Sequence, residues 1–189
     1  DIMWVGTDGG LCKYQNDDVS IITTAEGLSD NTILTLFADS KNNLWVGTEN
    51  GLNKISSDSI EFWTEENGLI NNRVRSIAED FKGNYWIGTS EGISVFNGNS
   101  FVNLNSDNGL SNEHIRCITS DNFNNIWVGT YFGGIMRFNH QDFIAYTPAE
   151  GLVSSQIHSI TEDEKGDIII GTYDGVSKLK IYNCLLYTS

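Results

Sequence analysis

The chain has 189 residues, 39% of them hydrophobic, with 19 Gly against one Pro, which excludes a disordered or collagen-like chain and reads as a turn-rich globular protein. Its 25 acids against 11 bases leave a formal charge of −14, so the surface repels phosphate backbones and anionic headgroups, and neither nucleic acid nor a membrane surface is an expected partner. No apolar run approaches the roughly 20 residues needed to span a bilayer, and Cys12, Cys117 and Cys184 are too few for a disulfide scaffold.

Taken in chain order, the first recognisable phrase is Trp4-Val5-Gly6-Thr7. It returns as Trp45-Val46-Gly47-Thr48, Trp86-Ile87-Gly88-Thr89 and Trp127-Val128-Gly129-Thr130, each tryptophan 41 residues after the last. Ile169-Ile170-Gly171-Thr172 is a fifth copy, set one residue late by the longer loop Tyr131-Phe132-Gly133-Gly134. In phase with these run Gly27-Leu28, Gly68-Leu69, Gly109-Leu110 and Gly151-Leu152, and an acid before a polar turn at Asp39, Asp80, Asp121 and Asp163. Three signals with one period define a repeat of about 41 residues.

Within one period the residues predict four short strands. Arg73 to Glu79 mixes apolar and small residues, Phe81-Lys82-Gly83-Asn84 turns, and Tyr85 to Thr89 returns. Glu91-Gly92 turns into Ile93 to Phe96, Asn97-Gly98-Asn99 is a hairpin signal, and Phe101 to Leu104 forms the outermost strand. Four antiparallel strands per period, with no alternating helices, is the pattern of an all-β β-propeller blade. The expected pieces are 1–27, 28–68, 69–109, 110–151 and 152–183: an incomplete arc of three full and two partial blades, the first lacking its first strand and the last its fourth. Asp1 enters directly at a strand without an initiator Met or signal peptide, so the ends read as cuts. Residues 184–189, Cys-Leu-Leu-Tyr-Thr-Ser, break the repeat and back-translate as the end of a transposase sequencing adapter; they are expected to be translated adapter, the alternative being a genuine terminal strand.

The recurring residues have packing roles. Trp45 and Gly47, two apart, share one side of their strand, so a large ring beside an absent side chain lets the next blade approach. Thr48 faces the other way, where its hydroxyl can satisfy a backbone group of the following turn. Gly68 suits a positive φ between blades and Leu69 plugs the seam below it. The Asp80 to Asn84 turn faintly resembles a calcium loop but lacks the bidentate Glu, so an Asp bonding its own turn is the expectation, and no metal or other cofactor is implied.

From Gly68 to Thr89 the chain resembles the two-component regulator propeller repeat, and the resemblance extends over nearly everything from Ile2 to Ile181, with Ile169 and Asp167 departing from the pattern in the last copy. It implies the extracytoplasmic sensor region of a hybrid two-component receptor: seven-bladed propellers, an immunoglobulin-like domain, a membrane helix and a cytoplasmic kinase. The implied location is the periplasmic or extracellular side of a bacterial inner membrane. An oligosaccharide ligand, and a homodimer in the full-length receptor, are the expected partners.

With the first strand innermost, the connections between blades and the loops joining second to third strands share one face. That face gathers Asp30, Asn31, Asn72, Arg73, Glu113, His114 and Gln156 with Glu49, Asn50, Glu91, Tyr131, Phe132, Tyr173 and Asp174. Rings to stack on a pyranose, amides and carboxylates to bond hydroxyls, and Arg for uronate or sulfate make a sugar-compatible set. The lengthened loop at Tyr131 and Phe132 is the leading candidate, against a loop that merely packs on its neighbour. Arg75, Arg116 and His158 occupy one equivalent position on successive innermost strands; they either bind an anionic group or pair with acids of neighbouring blades, which the acid excess favours. Ligand sensing is thus the expected function and no catalytic residue is assigned; a structural or dimerising propeller, or a propeller lyase or glycosidase, are the alternatives.

Overall fold

The computed structural model describes residues 2–57 and 59–180, and the backbone of residues 185–188. Five antiparallel sheets follow one another along the chain. The first has β1 (Met3–Gly6), β2 (Leu11–Gln15) and β3 (Asp18–Ile22). The second has β4 (Ile33–Ala38), β5 (Leu44–Thr48), β6 (Gly51–Ile55) and β7 (Ile60–Trp63), and the third β8 (Val74–Glu79), β9 (Tyr85–Thr89), β10 (Gly92–Phe96) and β11 (Phe101–Leu104). The fourth has β12 (Ile115–Ser120), β13 (Ile126–Thr130), β14 (Ile135–Phe138) and β15 (Phe143–Tyr146), and the fifth β16 (Ile157–Glu162), β17 (Ile168–Thr172), β18 (Gly175–Lys180) and β19 (Leu185–Thr188). Each sheet is a blade, and β4, β8, β12 and β16 lie side by side as the innermost strands of an open arc.

The fifth blade differs from the sequence expectation in having its fourth strand. β19 runs antiparallel to β18, with Lys180 opposite Leu185 and Ser177 opposite Thr188. An open sheet edge presents unpaired backbone groups that any extended segment after a turn can satisfy, so this pairing does not need the repeat's own side chains. The arc therefore holds four complete blades and one of three strands. Cys184 and Ser189, the ends of the segment read as adapter, lie outside the described residues.

The seams between blades are the core. Trp45, Leu69, Val74, Tyr85 and Ile87 close the seam between the second and third blades; Trp86, Leu110, Ile115, Ile126 and Val128 the next; and Trp127, Leu152, Ile157, Ile168 and Ile170 the last. Leu28, Leu69, Leu110 and Leu152 are each only 4% exposed, as plugs should be. A Cβ on Gly47 would fall 2.6 Å from Val74 Cγ1 of the adjoining blade, so the missing side chain is what permits this approach.

The turn aspartates do more than hold their turns. Asp39 accepts hydrogen bonds from Lys41 N and Asn43 N, and also from Trp45 Nε1 at 2.9 Å; Trp86 reaches Asp80 at 3.2 Å and Trp127 reaches Asp121 at 2.7 Å. The buried indole N–H thus finds its partner on the first turn of its own blade. In the fifth blade Ile169 offers no N–H. Lys178, directly opposite it on β18, instead donates to Asp163 at 2.7 Å and lies 2.8 Å from Asp167, so the two departures from the repeat compensate each other. Lys54, opposite Trp45, sits over the indole ring at 5.9 Å.

Candidate functional site

Between blades the chain makes a short 3-10 turn, at Glu65–Asn67, Ser106–Asn108 and Pro148–Glu150, closed by Gly68 (φ 120), Gly109 (φ 99) and Gly151 (φ 103). These turns use up much of the polar set expected to meet ligand. Asn31 Oδ1 accepts from Thr24 N, Asn72 Oδ1 from Glu65 N, and Asp30 Oδ1 from Thr32 N. Glu113 accepts from both Ser106 N and Ser106 Oγ, which holds its carboxyl below the usual range. Backbone bonds from Glu49 N to Thr32 O, Tyr131 N to His114 O and Tyr173 N to Gln156 O tie each second-to-third-strand loop to the connection beside it, so the two groups of loops share one face as expected.

On that face the structure assembles a graded row. Arg73 meets Glu49 at 2.6 Å. Arg75 Nε donates to Ser90 Oγ at 3.2 Å. The Arg116 guanidinium lies 4.5 Å from the centre of the Tyr131 ring, with the His114 ring at 6.3 Å from Tyr131 and Phe132 edge-on at 4.2 Å. His158 stands 6.4 Å from the Tyr173 ring. All eight candidate residues thus belong to one row crossing the third to fifth blades.

The lengthened loop has a fixed base and an open tip. Gly133 N donates to Thr130 Oγ1, Ser111 Oγ donates to Gly133 O and Gly134 N to Ser155 O, while Phe132 is 58% exposed. It packs on its neighbour and presents a ring at the same time. The expected pairing of Arg75 and Arg116 with acids is not what the structure shows: among the described residues neither has a carboxylate within 4 Å, because Glu49 is held by Arg73 and Glu113 by Ser106. Burial, and then the charges of Arg73 and Arg116, lower the Arg75 guanidinium from its usual value. Cys117, next to Arg116, is pushed up to about 12 by burial and is a packing thiol.

Two features escaped sequence reasoning. Ser90 follows Gly88-Thr89 at the position of Tyr131 and Tyr173, so aligning the copies on Gly-Thr would have found it. The other is a β-bulge in every innermost strand, between Ile33 and Thr35, Val74 and Ser76, Ile115 and Cys117, and Ile157 and Ser159. The site is an open surface. A cleft of about 660 Å³ lies between the first two blades beside Trp4 and Ile55, and neither Arg116 nor Tyr131 lines it.

Among proteins of known structure, the chain superposes on the extracellular domain assigned to the hybrid two component system BT4673 from B. thetaiotaomicron with a TM-score of 0.84 and 23% identity, over 98% of this chain and 29% of that one. The corresponding domain of BT3049 from the same organism gives 0.66 and 24%, over 100% and 32%. A catalytically inactive virginiamycin B lyase from Staphylococcus aureus with quinupristin gives 0.74 and 12%, over 98% and 68%. The chain spans under a third of the two receptor domains. No curated protein matches it in sequence. Residues 27–50, 68–91, 109–132 and 151–174, just over half of the chain, match the two component regulator propeller model, and each match runs from the inter-blade glycine through the innermost bulge to the Gly-Thr loop. The chain belongs to the two component regulator propeller family.

Proposed function

We propose that this chain is the ligand-binding part of an extracytoplasmic sensor propeller and that its ligand is a carbohydrate. The observation that carries this reading is the cluster at the one lengthened loop, where Arg116 lies against Tyr131 with His114 and Phe132 beside it. A flat ring offers a platform for the C–H face of a pyranose, and a guanidinium and an imidazole beside it supply donors to hydroxyl groups. Membership of a regulator family supports a sensing role, and the likeness to extracellular domains supports an extracytoplasmic place. The likeness to a lyase is one of fold, at 12% identity, and the reading here is binding without catalysis.

The test is a thermal-shift screen of the chain against a panel of neutral and charged oligosaccharides, repeated with the Tyr131→Ala/Phe132→Ala variant. Stabilisation by at least one sugar, lost in the variant, is expected. No stabilisation by any sugar, or an undiminished shift in the variant, contradicts the reading.

A further inference from the structure

The bulge decides where the innermost strands send one particular side chain. In the third, fourth and fifth blades the register passes from Val74 to Ser76, from Ile115 to Cys117 and from Ile157 to Ser159, and the residue passed over is Arg75, Arg116 and His158 in turn. A bulged residue has no partner across the ladder and belongs to neither pleat face, so it is freed from the seams and its side chain is re-aimed. The residue before each one, Val74, Ile115 or Ile157, is fully buried and builds the seam. The fold therefore uses the flanking residue for packing and leaves two cations, Arg75 and Arg116, over.

Adjacent blades bring these cations into line. Ser76 Oγ accepts from Ile118 N at 2.8 Å, which locks β8 against β12 immediately beside Arg75 and Arg116. The two guanidinium groups are half-buried and feel each other's charge. In a chain of net charge −14 they nevertheless have no carboxylate within 4 Å among the described residues. Arg75 is steered through Nε by Ser90, which leaves its terminal nitrogens for another partner, and Arg116 is steered by the Tyr131 face.

We propose that Arg75 and Arg116 form an anion clamp for a short acidic oligosaccharide, whose uronate or sulfate groups bond the two guanidinium forks while a sugar ring lies on Tyr131. This rests on the carbohydrate-sensing reading above and names its ligand class. Planar forks match carboxylate and sulfate oxygens two at a time, which a lone ammonium does not. The next step along the row, His158 with Tyr173, repeats the pairing of a nitrogenous side chain with a ring, so the ligand extends toward the fifth blade. The excess of acid elsewhere on the chain selects a short ligand over a long polyanion.

Isothermal titration of the chain with a tetrasaccharide of alternating uronate and sulfated hexosamine, and with maltotetraose as a neutral match in length, tests the clamp. The acidic sugar is expected to bind at least roughly tenfold tighter than the neutral one. Arg75→Gln and Arg116→Gln should each weaken it by roughly tenfold or more. Arg75→Lys/Arg116→Lys, which keeps the charge without the forks, should fall between. The urea midpoint of the double glutamine variant should equal or exceed the parent's, since like-charge repulsion is relieved. Equal affinity for the two sugars, or undiminished acidic-sugar binding in a glutamine variant that keeps its urea midpoint, overturns the clamp and leaves the sensing reading standing. Failure of both tetrasaccharides to bind also overturns the clamp, and the panel screen with Tyr131→Ala/Phe132→Ala then judges the sensing reading separately.

Discussion

Replacing Asp39 by Asn keeps the shape of a side chain on which the second blade and its seam converge. Asp39 is 6% exposed and its carboxylate takes bonds from Lys41 N, Asn43 N, Asn43 Nδ2, Trp45 Nε1 and, from the neighbouring blade, the Tyr85 hydroxyl at 2.9 Å. Burial alone would raise its pKa, but the donors of Asn43, Trp45 and Tyr85 outweigh it and hold the group at about 2 against an ordinary 3.8. That difference corresponds to about 2 kcal/mol of folding free energy for the ionised form. Because the folded-state value is depressed, the contribution is complete above the unfolded value, has fallen to about half near pH 3, and is lost as pH drops through about 2. Asn also turns an N–H toward donors, which adds a loss that does not depend on pH. Urea unfolding followed by tryptophan fluorescence should therefore show Asp39→Asn destabilised by about 2 kcal/mol or more at pH 7, with the gap to the parent narrowing by about 1 kcal/mol near pH 3. A gap that stays constant between these pH values refutes the reasoning.

The same urea measurement checks the seam glycine: a Cβ on Gly88 would lie 2.5 Å from Ile115 Cγ2 and 3.0 Å from Ile118 Cδ1, so Gly88→Ala should cost about 1–3 kcal/mol by overpacking. Thr89, fully buried, donates to Gly92 O at 2.8 Å and accepts from Glu91 N at 3.2 Å, so Thr89→Val, which removes both bonds, should cost about 1–3 kcal/mol in the same assay. Lys178→Met removes the cation that stands in for a tryptophan N–H between Asp163 and Asp167, whereas Lys54→Met removes a contact over an intact Trp45 and a longer 3.7 Å pair with Glu61. The first should lower the melting temperature clearly more than the second, and equal effects would contradict the substitution argument. The hydrogen bond from Lys178 also holds Asp163 at about 2, so the Lys178→Met deficit should shrink as pH falls from about 4 toward 2.

The blade pattern was legible because its causes are local or periodic. Trp, Gly and Thr in one phrase assign a ring, a gap and a turn-satisfying hydroxyl, and Thr48 Oγ1 does donate to Gly51 O at 2.9 Å. The face shared by the loops followed from strand order alone. What stayed hidden arises between elements. The bond from Trp45 to Asp39 joins two strands across a turn; its only trace in the sequence is the constant offset of six residues, repeated at Asp80 with Trp86 and Asp121 with Trp127. The bulge leaves no mark at Arg75 or Arg116, since any residue can be the one skipped. Counting charges suggested acids as partners for those arginines, but Glu49 and Glu113 were already committed to Arg73 and to the Ser106 turn. The fourth strand of the last blade was missed because edge pairing depends on backbone groups that every sequence carries.

The central claim, that the face carrying Tyr131 and Arg116 is the one that meets ligand, is tested most directly by hydrogen–deuterium exchange of the chain with and without the acidic tetrasaccharide. Protection of residues 113–117, 130–134 and 156–158, with no change in the aspartate turns at 80–84 and 121–125 on the opposite face, is the predicted result. Protection confined to those aspartate turns, or to the cleft beside Trp4, would contradict it.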